Sequence, residues 1–250
     1  MNRLSVLSQF TTMEFRLVLR ESSRFYLPLA LPLIILAMNG MGDGARKPVA
    51  EFQGLSALDA YIVPLSAVMV VTIIGLMHVP AGIVLYRRMG ILRRVSVTPA
   101  QPLIILVAQA LILLMVTVLG VALALAMGFL VFGVAAPRNP GGVITAFALS
   151  LCAMFSLGLL IAALAASPRT AGAIGLVSFL ALMATGGGFS NRNDYPDWLA
   201  TIASYTPFGA AHEAMVNSWS GGSPTMTNCL VLLAVTLIAG TGSAFAFRWE

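Results

Sequence analysis

Charge is the scarcest commodity in this 250-residue chain, with 9% charged residues against 59% hydrophobic ones. A soluble domain carries about 25% charged residues. So few cannot cover a globular surface, and the apolar patches left bare in water would aggregate. Lysine occurs once, at Lys47, and Pro48 follows it. A GxxxxGK[ST] phosphate loop is therefore excluded, and with it nucleotide hydrolysis by that route. Histidine is limited to His78 and His212, which leaves no HExxH helix and no paired Cys/His spacing for zinc. No GxSxG nucleophile turn occurs. The apolar runs hold almost no carboxylate, Asp59 standing at the edge of one. That disfavours a proton- or sodium-driven carrier, which places carboxylates at mid-membrane. Cys152 and Cys229 both lie within apolar runs, and nothing in their spacing brings them together.

What the chain does have is long apolar runs and a mean hydropathy of +0.94. Lipid is the natural solvent for such a sequence, and a spanning helix takes about 20 residues. Six spans are expected, at 25–41, 58–85, 103–132, 143–166, 171–189 and 226–247, forming one domain over 1–250. The fold class is an all-α integral membrane protein. Pro28 and Pro32 kink the first span, or break its first turn. The second holds Pro64 and Pro80 and is longer than a bilayer requires, so it tilts, kinks or extends past the lipid. In the fourth, Gly158, Ala162 and Ala166 recur every four residues. Such a stripe lets another helix approach closely, unless it is chance in an Ala-rich run. Before the first span, residues 5–23 place Phe10, Met13 and Leu17 at helical spacing beside Glu14, Arg16 and Arg20. That pattern suits an amphipathic helix in the membrane interface. No small-residue cleavage site follows promptly, so the start is not read as a cleavable signal peptide.

The net charge of +5 has two readings, nucleic-acid binding or the positive-inside bias of membrane proteins. The basic residues cluster between apolar runs with no aromatic interleaving, so nucleic acid is not an expected partner. With a cytoplasmic N-terminus, ten basic residues fall inside and four (Arg46, Lys47, Arg138 and Arg192) outside. Six of the nine acidic residues fall outside. Both termini are thereby expected in the cytoplasm. The most basic stretch, YRRMGILRRVSVTPAQP from Tyr86 to Pro102, follows the second span. His78, near the inner half of that span, reads as a packing residue or as a proton relay.

Three segments resemble the ABC-2 type permease family. TTMEFRLVLRESSRFYLPLALPLIIL is similar to the family's elbow helix, charged turn and Pro-containing first span. YRRMGILRRVSVTPAQP is similar to its loop after the second span, with a charged pair, a Gly and a terminal T-P. YTPFGAAHEAMVNSWSGG, a last span and FRWE resemble drug-export members of the daunorubicin-resistance type. Many members carry glutamates where this chain has Arg87, Arg88, Arg93 and Arg94.

The resemblance implies a permease subunit in a bacterial plasma membrane. It would pair with a second permease copy and export hydrophobic or amphiphilic small molecules such as drugs. It would hold no cofactor of its own; ATP and Mg would sit on separate ABC ATPase subunits. A coupling helix over Tyr86–Pro99 would seat in the ATPase, using Tyr86, Arg87, Arg88, Gly90, Arg93, Arg94 and Pro99. The elbow, with Glu14, Arg16 and Arg20, would pack beside it. A re-entrant hairpin before the last span would form an outer gate with Trp198, Tyr205, Pro207, His212 and Glu213. His212 and Glu213 read equally well as a solvated helix end. Two other functions stay open: export of a lipid-linked glycan or envelope component, and an ATP-independent carrier using His78 or Glu213 for proton coupling.

Overall fold

The structure, a computed structural model, describes residues 22–42, 44–89, 102–189 and 195–246. Every regular element among them is helical. In chain order they are α1 (Ser22–Gly40), α2 (Leu58–Arg88), α3 (Pro102–Phe132), α4 (Pro140–Leu164), α5 (Pro168–Thr185), α6 (Asp197–Tyr205), α7 (Pro207–Trp219) and α8 (Met226–Ala246). Five of them, α2, α3, α4, α5 and α8, are long and apolar enough to cross a membrane. The expected first span corresponds to α1, a 19-residue helix whose Leu29–Gly40 portion is apolar.

α2 is the centre of the fold. It is 72% buried over its apolar window, against 39% or less for the other four. At 31 residues and 1.5 Å per residue it is about 46 Å long, so it outruns the hydrocarbon layer. Its two prolines do not break it. Each follows a π-helical turn, Leu58–Ile62 before Pro64 and Ile74–His78 before Pro80. A proline has no N–H to give and its ring crowds the carbonyl four residues back. Widening the turn to an i→i+5 pattern relieves both problems.

Two helices, α4 and α5, start three residues earlier than the apolar pattern predicts, and α7 begins in the same way. Asn139-Pro140, Ser167-Pro168 and Thr206-Pro207 each put a capping side chain before a proline in the first turn. The caps accept from the N–H of Gly142 (3.0 Å), Thr170 (3.0 Å) and Gly209 (3.1 Å). Proline is pre-organised there, since that N–H has no helical partner anyway. Pro140 and Pro168, which lie outside the expected spans, are therefore the first helical residues. At the other end, α5 stops at Thr185 rather than 189, where Gly186 caps it and Gly187 takes a φ of +91°.

The small-residue stripe of α4 is a real contact at two of its three positions. Gly158 and Ala162 are buried, the former against Gly75 of α2. Ala166 is exposed, because α4 ends at Leu164 and the chain has already turned away. The largest apolar cluster joins α2, α4, α5, α7 and α8 through Met69, Leu76, Met154, Phe179, Phe208 and Leu232. α7 is unusual for a connecting segment, with nine of its 13 residues buried, Trp219 included. It packs into the bundle against α4, α8 and α2.

Candidate functional site

The candidate residues fall at the two ends of α2. At the Arg88 end, Tyr86 and Arg87 are half-buried and Arg88 is exposed. The Arg87 guanidinium donates to the carbonyls of Ala162 (3.2 Å) and Ala165, and Arg88 Nε donates to Ala166 (3.2 Å). These carbonyls stand at and just beyond the end of α4. The last four carbonyls of a helix lack intrahelical donors and carry the negative end of its dipole. Two arginines are thus apt caps for it. Beneath them Val79, Ile83 and Val84 pack on Ala162, Ala165 and Ala171. A cleft of about 770 Å³ opens beside the arginines, walled by Leu164, Ala166 and Phe245. Gly90, Arg93, Arg94 and Pro99, and the elbow residues Glu14, Arg16 and Arg20, lie outside the described residues.

At the Leu58 end, Asp59 organises the chain. Its carboxylate accepts from the N–H and hydroxyl of Ser56 (3.0 and 2.6 Å), while its own N–H donates to Ser56 Oγ (3.1 Å). This is a capping box. The second carboxylate oxygen accepts from the N–H of Ala135 (3.0 Å), beyond α3. Ala135's carbonyl in turn accepts from Trp219 Nε1 (3.1 Å), and the N–H of Arg138 and Asn139 donate to Trp219 and Ser218 (3.1 and 3.2 Å). The loop between α3 and α4 is therefore strapped to α2 on one side and α7 on the other. Sequence reasoning saw Asp59 only as a carboxylate at a span edge; the S-x-x-D spacing was the signal for its capping role.

The expected gate residues separate. Pro207 opens α7 behind its Thr206 cap. His212 is 4% exposed, which corrects the reading of a solvated helix end. Its Nε2 lies 3.2 Å from the Tyr61 carbonyl, so that nitrogen carries the proton, and its ring meets the Tyr61 ring edge-on at 4.5 Å. The Tyr61 hydroxyl donates to the Gly187 carbonyl (2.7 Å). α2, α7 and the end of α5 are thereby joined at one point, within the first π turn of α2. Glu213, the next residue, is half-buried. Trp198 and Tyr205 are 65% and 64% exposed on α6. Both side chains face away from this chain's own interior, and Ala203 makes the buried contact of α6 instead. At the second π turn, half-buried His78 places Nδ1 3.5 Å from the Ile73 carbonyl, among packed apolar groups.

Apolar helices of spanning length around a buried central one define a multi-pass α-helical membrane protein. The profile of the ABC-2 type transporter family matches residues 6–218, and the chain belongs to that family. It is the membrane subunit of an ABC transporter, a family that generally works with ABC ATPase subunits. No curated protein sequence matches this one.

Proposed function

We propose that this chain is the permease of an ABC exporter that moves hydrophobic or amphiphilic compounds such as drugs out of the cell. The observation that carries the reading is the family match over most of the chain. α1 serves as the sixth span, residues 5–23 as the elbow, and α6–α7 as a re-entrant hairpin capping the outer side. Two permease copies pair, and two separate ATPase subunits, holding ATP and Mg, dock beneath them on the cytoplasmic side.

Since Arg87 and Arg88 are engaged with the end of α4, the docking contact falls to the segment beyond them. Gly90, Arg93, Arg94 and Pro99 meet the ATPase there, and arginine suits bidentate pairing with acidic residues across such an interface. A push on that segment then reaches α4 through Arg87 and the outer hairpin through α2. The test is a Gly90→Leu/Arg93→Ala double variant co-expressed with its ATPase. Efflux of a fluorescent amphiphile such as ethidium should fall at least about tenfold, with membrane insertion unchanged. Undiminished efflux and undiminished substrate-stimulated ATP hydrolysis would rule out the coupling assignment.

A further inference from the structure

We propose that the cleft between the last turn of α2 and the ends of α4 and α8 binds an anionic phospholipid. Its phosphate sits on Arg87 and Arg88, and an acyl chain lies along Leu164 and Phe245. The three helices are all long and apolar enough to span the membrane, and they run out beside the cleft. That sets it at the depth where hydrocarbon gives way to headgroups. Its two sides differ in chemistry. The arginines form one, and Leu164, Ala166, Phe245 and Ala246 form the other. Leu164 and Phe245 are 68% and 92% exposed, so the apolar side lies open to a chain. No carboxylate stands among the described residues that line the cleft.

An arginine at a membrane surface ordinarily snorkels, its flexible stem letting the charge find water. These two are held instead. Arg87 is fixed by the carbonyls of Ala162 and Ala165, and Arg88, through Nε, by that of Ala166. A guanidinium carries five N–H donors, so each arginine keeps donors in reserve. The terminal nitrogens of Arg88 make no bond among the described residues, and the side chain is exposed, so a ligand can reach them. The end of α4 offsets only about half a charge against two full positive ones. The excess calls for an anion, and a guanidinium fork takes phosphate oxygens two at a time. Inorganic phosphate would leave Leu164 and Phe245 unused, whereas a phospholipid joins the anion to the chain. A choline or ethanolamine headgroup would bring a further cation to the arginines, so the lipid is one of net negative charge. The cleft, at about 770 Å³, has the size of a small-ligand site.

Native mass spectrometry of the purified full-length protein in a non-ionic detergent tests this. Dioleoyl phosphatidylglycerol and dioleoyl phosphatidylcholine, which differ only in headgroup, are titrated separately and the first bound lipid is measured. The anionic lipid should bind at least about fivefold more tightly. Arg88→Gln should remove most of that preference, and Arg88→Lys, which keeps the charge but not the fork, should retain part of it. Arg169→Gln takes a charge from the first turn of α5, beside the end of α4 but outside the cleft, and should leave the preference intact. Soluble glycerol phosphate in large excess should not displace the lipid. No ATPase is present, so a failure here leaves the export reading standing. Equal binding of the two lipids, a preference that survives Arg88→Gln, its loss in Arg169→Gln, or displacement by glycerol phosphate would overturn the site.

Discussion

Alanine at Gly158 should loosen the crossing on which the bundle is built. Three helices meet at the second π turn of α2, and each brings a glycine. A Cβ on Gly158 would fall on the carbonyl oxygen of Gly75, with the Gly75 carbonyl carbon and Val79 Cβ both at 3.1 Å. One on Gly75 would meet Met154 Cβ at 2.7 Å and the Met154 carbonyl at 2.9 Å. One on Gly175 would fall on the Leu76 carbonyl oxygen, with Met77 Cα at 3.1 Å. The obstacles are backbone, so no side chain can swing aside and the helices must part. Overpacking costs about 1–3 kcal/mol, and about 2–3 where, as here, the backbone itself must yield, while replacing a helical glycine by alanine returns about 1 kcal/mol of propensity. The net is a loss of about 1–2 kcal/mol. For a chain of this size each kcal/mol is about 2–4 °C, so the melting point should drop by about 2–8 °C. Thermal unfolding in detergent at a fixed scan rate measures it. The control is Gly172→Ala on α5, where an added Cβ meets nothing within 4 Å and stability should hold or rise. Equal shifts for Gly158→Ala and Gly172→Ala would refute the reasoning.

Arg87→Ala should lower the melting point by the equivalent of about 1–3 kcal/mol, because the carbonyls of Ala162 and Ala165 lose a charged donor; Arg87→Lys, with no fork, should recover only part. Asp59→Ala removes the capping box and the bond to Ala135. It should cost about 0.5–2 kcal/mol and speed proteolysis between α3 and α4, with Asn at this position intermediate. His212→Phe keeps a buried ring but removes the His212 bond to the Tyr61 carbonyl. It should destabilise by about 1–3 kcal/mol, and hydrogen exchange should rise around Leu58–Ile62 as the π turn loses its brace.

How much of this was legible in the sequence depended on the kind of signal. Apolar runs predicted α3, α4, α5 and α8 to within a few residues, because lipid demands a fixed length of apolar helix. The starts of α4 and α5 were misjudged because a capping Asn or Ser preceded a proline; local chemistry, not hydropathy, sets that boundary. The prolines of α2 flagged irregularity but not its form, since tilt, kink and π turn share one sequence signature. Long-range pairing was the least legible. Nothing local in the sequence says that the carbonyl end of α4, some 75 residues on, will lie against Arg87 and Arg88. His212 read as ambiguous for the same reason. Its burial depends on Tyr61, 151 residues away.

These long-range contacts share a partner, and that partner constrains how the subunit can move. Arg87 ties the last turn of α2 to α4, the glycine crossing ties its middle to α4 and α5, and Tyr61 and Asp59 tie its first turn to α7 and the α3–α4 loop. A helix held at both ends and at its centre cannot slide alone, so a displacement at the Arg88 end must carry α4 with it. The compliant places are the π turns, whose i→i+5 bonds are the least regular in the helix and which lie where α5, α7 and α4 make contact. Under the proposed coupling, motion entering at the Arg88 end would be relayed to α4 first, with α7 following through Tyr61 and His212. Loosening the relay at Gly158 or Arg87 should therefore impair transport out of proportion to the stability it costs.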